Sequence, residues 1–148
     1  MCIRDSSSVP AGETVLDVGC GAGTLALAAR TAGARRAFGF DLDLEAPLAS
    51  RVNVRRNGLD GCAFWGGLLE SLSPGARFGL VVANMLHEEV GPLLPGLAPL
   101  LPPGGLLVTA GQLVAREAEF LRLLESAGLV PRRLASEGEW LGTLSVRP

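Results

Sequence analysis

Short apolar runs recur along the chain, and their composition and spacing predict β-strands. Each run is four to six residues long, is rich in aliphatic, aromatic or β-branched residues, and is bounded by turn-forming or charged residues. This pattern is typical of strands buried in a parallel sheet. The first five predicted strands cover residues 14–18, 37–40, 62–65, 78–83 and 106–109.

The segments between these runs predict helices, which cover residues 23–32, 44–57, about 88–101 and 116–127. The first is rich in alanine and leucine, which favour helix. Asp43 is expected to cap the second helix, with Pro47 in its first turn and Asn57 and Gly58 at its end. The last helix shows the clearest amphipathic pattern and ends at Gly128.

The C-terminal segment does not continue the alternation of strands and helices. Residues 129–135 and 140–146 are both strand-like, and the Ser-Glu-Gly-Glu sequence that joins them leaves no room for a helix, which predicts an antiparallel hairpin. The earlier alternation of strands and helices is typical of βαβ units. The expected fold is therefore an α/β fold with a mostly parallel sheet, helices on both faces and a C-terminal hairpin.

Size and charge limit the range of functions. The 148 residues, 48% of them hydrophobic, suffice for one domain with its own core. The 13 basic and 15 acidic residues form no basic block, so a nucleic-acid partner is not expected. Several prolines interrupt the uncharged segment 90–112, which argues against a membrane span.

The N-terminal sequence MCIRDSSSVP differs in composition from the rest of the chain. We expect residues 1–12 to be a ragged or non-native start and residues 13–148 to form the ligand-binding domain. The three cysteines, Cys2, Cys20 and Cys62, have no metal-ligand spacing and are odd in number. Reduced thiols in a cytoplasm, without a metal site, are the simplest interpretation.

Three alternate glycines follow the first predicted strand, at Gly19, Gly21 and Gly23, in the pattern G-x-G-x-G. The dinucleotide fingerprint G-x-G-x-x-G needs a glycine where Thr24 stands, so a pyrophosphate fits this turn poorly. Asp17 lies just before the turn, where its charge opposes a phosphate and favours a cation. S-adenosylmethionine carries an ammonium and a sulfonium and no phosphate, and it is the expected ligand.

Further candidate residues follow the next three strands. Asp41 comes 18 residues after Gly23, close to the spacing at which a carboxylate binds both hydroxyls of a ribose. The Gly-Gly-Leu sequence at 66–68 lets backbone approach an adenine ring. Asn84 ends the fourth strand, where its carbonyl oxygen can hold an acceptor amine, so it is the expected catalytic residue. The expected cofactor-binding set is Asp17, Gly19, Cys20, Gly21, Gly23, Asp41, Leu42, Gly67, Leu68 and Asn84.

Structural roles stay open for several candidates. The glycine turn can be a tight connection without a ligand, and Asp41 and Asn84 are both favoured helix caps. His87 is the single histidine, and without spaced partners it is expected to be structural. Trp65 and Trp140 lie in predicted strands, which favours the core over a ligand contact.

The segments VLDVGCGAG at 15–23 and GFDLD at 39–43, the strand ending at Asn84 and the terminal hairpin resemble, in this order, the Rossmann-like S-adenosylmethionine-dependent methyltransferases. FDLD followed by residues 53–58, LVVANML, the PPGG turn before LLVTAG, and SEGEW narrow the resemblance to the PrmA family. Its members methylate the large-subunit ribosomal protein numbered eleven. The resemblance covers about residues 15–146.

The resemblance implies a seven-stranded sheet of order 3-2-1-4-5-7-6 and N-methylation of lysine side chains and an N-terminal amine. Position by position, it implies that Asp17, Gly19, Gly21, Gly23 and Asp41 bind the cofactor and that Asn84 lies between cofactor and amine. The family also has an N-terminal substrate-recruiting domain and a threonine-bearing helix that closes over the cofactor. Both are expected to be missing from this chain, and Gly67 stands where many relatives have an aspartate.

The leading hypothesis is a cytoplasmic, monomeric protein N-methyltransferase that transfers a methyl group in line to a neutral amine, without a covalent intermediate. One alternative is a methyltransferase of the same fold with a small-molecule or other protein acceptor. Others are a truncated or non-catalytic cofactor-binding domain and a nucleotide-dependent oxidoreductase. Asn84 is followed by Met-Leu and not by Pro-Pro and an aromatic residue, which counts against methylation of DNA bases.

Overall fold

The computed structural model describes residues 12–148, so the interpretation of the N-terminal segment lies almost wholly outside the described residues. Seven strands form, most of them where apolar runs predict them. They are β1 Thr14–Val18, β2 Arg36–Asp41, β3 Cys62–Gly66, β4 Leu80–Asn84, β5 Leu106–Leu113, β6 Val130–Glu137 and β7 Trp140–Val146.

All seven strands belong to one sheet of order β3-β2-β1-β4-β5-β7-β6. The first five strands run parallel to one another. β7 runs antiparallel to both β5 and β6. The predicted fold class, strand order and C-terminal hairpin are therefore confirmed.

Five α-helices connect the strands: α1 Thr24–Thr31, α2 Ala46–Arg56, α3 His87–Val90, α4 Leu94–Leu97 and α5 Glu117–Ser126. α2 begins two residues later than predicted because Asp43 is used in a turn before it. The Asp43 Oδ1 atom accepts from the Glu45 N–H at 2.9 Å, and the Ala46 N–H donates to the Asp43 carbonyl at 3.2 Å. Pro47 lies in the first turn, where its missing N–H is not needed.

The helix predicted at about residues 88–101 is present as an unbroken series of short helical turns and not as one regular α-helix. This segment consists of the single turns α3 and α4, each followed by a 3₁₀ turn, Gly91–Leu93 and Ala98–Leu100. Pro92, Pro95 and Pro99 recur every three or four residues, and each removes a backbone donor that a continuous helix would use.

The bounds of β4 and β5 also differ from the prediction. β4 starts at Leu80 because the Phe78 N–H leaves the sheet and donates to the Leu100 carbonyl at 2.9 Å. β5 continues to Leu113, past the predicted end at residue 109, through an irregularity in its pairing with β7.

Helices cover both faces of the sheet. On one face α5 and the turns around α4 pack against the central strands, with Phe120 and Leu124 fully buried beside Leu16 and Leu107. On the other face α1 contributes Ala26 and Ala29. None of the helices formed by residues 12–148 has the length and apolar content that a membrane crossing needs.

The two tryptophans differ in burial. Trp65 is half-buried and stacks on Phe40 with ring centroids 5.7 Å apart. Trp140 is 45% exposed, so the prediction that it lies in the core is wrong. It is the first residue of β7 and adjoins the exposed hairpin turn.

Candidate functional site

The register of the parallel strands brings their carboxyl ends to one edge of the sheet. Val18 pairs with Phe40 on one side and with Ala83 on the other. Asp41 and Asn84 each come one residue later. The turn after β1 therefore lies at the centre of this edge, with Asp41 on one side and Asn84 on the other.

The glycine turn between β1 and α1 contains three residues in the left-handed conformation. Gly19, Gly21 and Gly23 have φ angles of 66°, 49° and 80°, a region that only glycine enters readily. The N–H groups of Gly19 and Cys20 both donate to the Phe40 carbonyl at 3.0 Å. The turn is thus tied to β2 at its start.

The three glycines meet different surroundings. A Cβ atom at Gly19 would lie 3.2 Å from the Met85 side chain, and one at Gly23 would lie 3.0 Å from Ser50. At Gly21, no described atom beyond its chain neighbours would lie within 4 Å of a Cβ atom. Two glycines are therefore needed for packing, whereas the third leaves an open side of the turn at which a ligand can approach.

Asp17 lies beneath the turn and is 2% exposed. Its Oδ2 atom accepts from the Ala26 N–H at 3.0 Å. Since Gly23 at the N-cap of α1 has no side chain, Asp17 performs the capping role from the neighbouring strand. Burial raises the pKa of Asp17 to about 7, against a lowering by the Ala26 N–H and with a further increase from the charge of Asp41.

Two side chains of α2 hold the carbonyl groups of the turn. The Ser50 hydroxyl donates to the Gly21 carbonyl at 2.8 Å, and the Asn53 Nδ2 donates to the Ala22 carbonyl at 3.0 Å. The Cys20 Sγ atom lies 4.0 Å from the Ser50 Oγ atom. Burial, with the charge of Asp17, raises the pKa of Cys20 to about 11, so this thiol fills space and does not act as a nucleophile.

Asp41 organises the backbone on the β2 side. Its Oδ2 atom accepts from the Gly21 N–H at 2.8 Å, and its Oδ1 atom accepts from the Asp43 N–H at 3.0 Å. The Gly67 N–H donates to the Asp41 carbonyl at 2.9 Å, which joins the end of β3 to the end of β2. Leu42 and Leu68, which follow these residues in the chain, are 70% and 58% exposed.

Asn84 stands on the β4 side and is exposed. Its carboxamide makes no hydrogen bond to another described residue, and a Cβ atom at Gly111 would lie 3.1 Å from its Oδ1 atom. Asn84 does not cap α3, because Leu86 is the N-cap and the Leu86 N–H donates to Glu89 Oε2 at 2.9 Å. The carboxamide is therefore available to a ligand.

His87 has a structural place behind this site. It is 6% exposed, its Nε2 atom lies 3.4 Å from Glu119 Oε1, and its ring lies 5.5 Å from that of Phe120. Arg116 bonds both Glu119 and Glu88. These contacts join α3 to α5, and no group of three or more possible metal ligands occurs within residues 12–148.

The structure thus brings the ten predicted residues to one edge of the sheet, although Asp17 and Cys20 lie beneath it. Sequence reasoning missed Ser50, Met85 and Gln112, which contact the turn or the end of β4 from elements distant in the chain. Their residue types are ordinary core or helix residues, so the local sequence gives no signal for them. Only the glycine that precedes Gln112 hints at an irregular strand.

We predict that Asp17 makes the free energy of unfolding fall between about pH 4 and pH 7. The folded state keeps the carboxyl proton up to a pKa of about 7, whereas the unfolded chain loses it near 3.8. Between these values the folded state binds more protons, so rising pH favours unfolding. Asp17→Asn should remove this contribution, on the order of 4 kcal/mol at most, as measured by urea denaturation across this pH range. Asp43→Asn, at an exposed carboxylate, should keep it, and an unchanged slope in Asp17→Asn would contradict the prediction.

The strand order, the glycine turn after β1 and the carboxylate after β2 define the Rossmann-like methyltransferase fold. The magnesium protoporphyrin IX methyltransferase of Synechocystis PCC 6803, solved with bound S-adenosylmethionine, superposes with a TM-score of 0.79 at 20% identity. The match covers 98% of this chain and 74% of that chain and shows the shared fold.

Closer relatives define the family. The family model described as ribosomal protein L11 methyltransferase (PrmA) matches residues 1–147, and the chain belongs to this family. The structure of the ribosomal protein L11 methylase from Lactobacillus delbrueckii subsp. bulgaricus has a TM-score of 0.89 at 28% identity, over 95% of this chain and 73% of that one. The ribosomal protein L11 methyltransferase of Azotobacter vinelandii is 40% identical over 93% of this chain and 46% of its own length. The chain spans about half the length of the curated relatives it matches.

Proposed function

We propose that this chain is the part of a protein N-methyltransferase that binds S-adenosylmethionine and transfers its methyl group to amines of ribosomal protein L11. The observation that carries the proposal is the arrangement at the sheet edge. The glycine turn, with its open side at Gly21, lies on the same sheet edge as the carboxylate of Asp41 and the free carboxamide of Asn84. The relatives' names supply the acceptor protein, and the family resemblance supplies its lysine and N-terminal amino groups.

The residues at this edge fit S-adenosylmethionine in charge and in shape. Each oxygen of Asp41 accepts one backbone N–H, which leaves further lone pairs for the two hydroxyls of a ribose. The exposed side chains of Leu42 and Leu68 offer the apolar surface that an adenine ring needs. The negative charge of Asp41, and that of Asp17 once ionised, favours the ammonium and the sulfonium. Asp17 acts mainly through this field, because its side chain is almost fully buried.

When bound, S-adenosylmethionine supplies a methyl group on a positively charged sulfur, which a nucleophile can take directly. The task of the chain is then to align the acceptor. Asn84 accepts an N–H of the neutral amine, which turns the nitrogen lone pair toward the methyl group. The methylated nitrogen, now positively charged, releases one of its own protons to solvent, and no side chain forms a covalent bond.

We also propose that the protein acts as a monomer in the cytoplasm, without a nucleic-acid partner. Its edge strand β6 carries Pro131, which has no N–H, and the charged Arg132 and Arg133, features that oppose further strand pairing. The thiols of Cys20 and Cys62 are free, in keeping with a reducing compartment. The net charge of −2 offers nothing to a phosphate backbone.

Binding and transfer test the proposal separately. In a calorimetric titration, the chain should bind S-adenosylmethionine at one saturable site, and NAD at the same concentrations should give no signal. The full-length protein should then transfer labelled methyl groups from S-adenosylmethionine to unmodified ribosomal protein L11. Absence of binding would reject the cofactor, whereas binding without transfer would reject the acceptor or the catalytic role.

A further inference from the structure

Gln112 is a buried amide next to Asn84 and Met85, and packing alone does not account for it. The residue is 0% exposed, and its Nε2 atom donates to the carbonyls of Met85 and Ala110, both at 2.9 Å. Its Oε1 atom has no partner among the described residues. Burying the unpaired Oε1 carbonyl lowers stability, and the two bonds from Nε2 offset this cost. The role of Gln112 therefore lies in what its N–H groups hold.

A β-bulge brings this side chain to its place. The register between β5 and β7 shifts between Ala110 and Gln112, and Gly111, within the shift, has a φ angle of 90°. A Cβ atom at Gly111 would lie 2.8 Å from the Met85 carbonyl oxygen and 3.1 Å from Asn84 Oδ1. Glycine thus lets the bulge lie directly against the end of β4, without a side chain between the two strands.

Both the backbone and the side chain of Met85 are fixed by contacts. Its N–H donates to the Ala110 carbonyl at 3.0 Å, and its carbonyl accepts from Gln112. Its side chain lies against Gly19, at 3.2 Å from the position of a Cβ atom there. Met85 therefore connects the glycine turn to the end of β4, and Gln112 supplies a side-chain bond to its backbone.

We propose that Gln112 is a positioning residue, which orients the Asn84 carboxamide by fixing the peptide groups that follow it. Asn84 is the last residue of β4, and beyond the bond from the Met85 N–H to the Ala110 carbonyl no further ladder bond within residues 12–148 restrains the chain. The bond from Gln112 to the Met85 carbonyl replaces that restraint one residue later. The proposal rests on the proposed function, since it assigns to Gln112 the alignment of the group that holds the amine.

The test compares Gln112→Met with Ser145→Ala. Methionine has a similar length but no N–H, so kcat for methyl transfer by the full-length protein should fall about tenfold or more. The KM for the acceptor and the Kd for S-adenosylmethionine should change less than about threefold, because the substitution removes no group that contacts the acceptor or the cofactor. Ser145 is the matched control. Its buried hydroxyl also lacks a partner within the described residues, and it pairs with Leu107, away from the bulge, so its loss should leave kcat unchanged.

A second measurement does not depend on activity. In ¹⁵N-labelled protein, the side-chain amide of Asn84 should give one sharp pair of signals in the wild type and in Ser145→Ala, and broadened or multiple signals in Gln112→Met. A Gln112→Met protein with normal kcat and unchanged Asn84 signals would overturn the proposal. So would a lower melting temperature with normal kcat per folded molecule, which would show a structural role only. If the wild type transfers no methyl group, the proposed function fails, and the Asn84 signals still decide whether Gln112 positions this residue.

Discussion

Replacing Asn84 by alanine should lower kcat for methyl transfer by about 100-fold or more, while the affinity for S-adenosylmethionine changes only a few-fold. Asn84 is exposed at the end of β4, and its carboxamide lies beside the bulge and is free to hold an amine. Without it, the acceptor nitrogen meets the methyl group in many orientations. Single-turnover transfer with labelled cofactor measures the loss directly.

A matched asparagine serves as the control for this prediction. Asn57 is the C-cap of α2, away from the sheet edge, and its Nδ2 atom donates to the Asn53 carbonyl at 2.8 Å. Asn57→Ala should keep normal transfer. If Asn84→Ala retains most of its activity, the acceptor is aligned by other groups and the catalytic role of Asn84 is wrong.

Gly21→Ala should weaken the binding of S-adenosylmethionine at least about tenfold at a small cost in stability. The added methyl group would meet no described atom within 4 Å beyond the chain neighbours, so the protein does not have to repack. The φ angle of 49° adds about 1 kcal/mol of strain. Because the open side of the turn is where we place the ligand, the methyl group occupies ligand space. Calorimetric titration and a melting curve measure the two effects.

Gly58→Ala separates strain from ligand exclusion. Gly58 has a φ angle of 61°, similar open surroundings and a place at the far end of α2. Its alanine variant should be destabilised to a similar degree and should bind the cofactor normally. Equal affinities for Gly21→Ala and the wild type would show that the ligand does not approach this side of the turn.

The strands were predictable because most of them are buried on both faces and therefore read as apolar runs. β1 and β7 have the predicted bounds, and β3 is one residue longer. The order of the strands was not predictable from these runs, since pairing joins segments far apart in the chain. It came from the family resemblance, which carries the topology as a whole.

The differences between prediction and structure have local causes that the hydrophobic periodicity does not show. The apolar segment 88–101 has helical spacing, but its prolines withhold the donors that a continuous helix needs. Asp43 is a good cap by residue type, yet it closes a separate turn before α2. Trp140 is aromatic and lies in a strand, but the strand begins at an exposed hairpin turn.

The candidate site was predictable where its residues lie at or directly after the end of a strand. Asp41 and Asn84 are the last residues of their strands, Gly67 directly follows β3, and the parallel register brings them together. Asp17 was predicted in the right place, but the sequence does not reveal that its carboxylate caps α1. Ser50 and Gln112 act on backbone groups more than 25 residues away in the chain, and such partners become visible only in the folded structure.

The bond between Asp17 and Ala26 also has a mechanical consequence. The first turn of a helix is usually the part that frays, but this one is fastened to a carboxylate in a central strand. Both ends of the glycine turn are thereby anchored, and Asp41, Ser50 and Asn53 hold its middle. The entropy lost in shaping the turn is lost during folding, so a ligand meets a preorganised surface and its affinity is not reduced by ordering the loop.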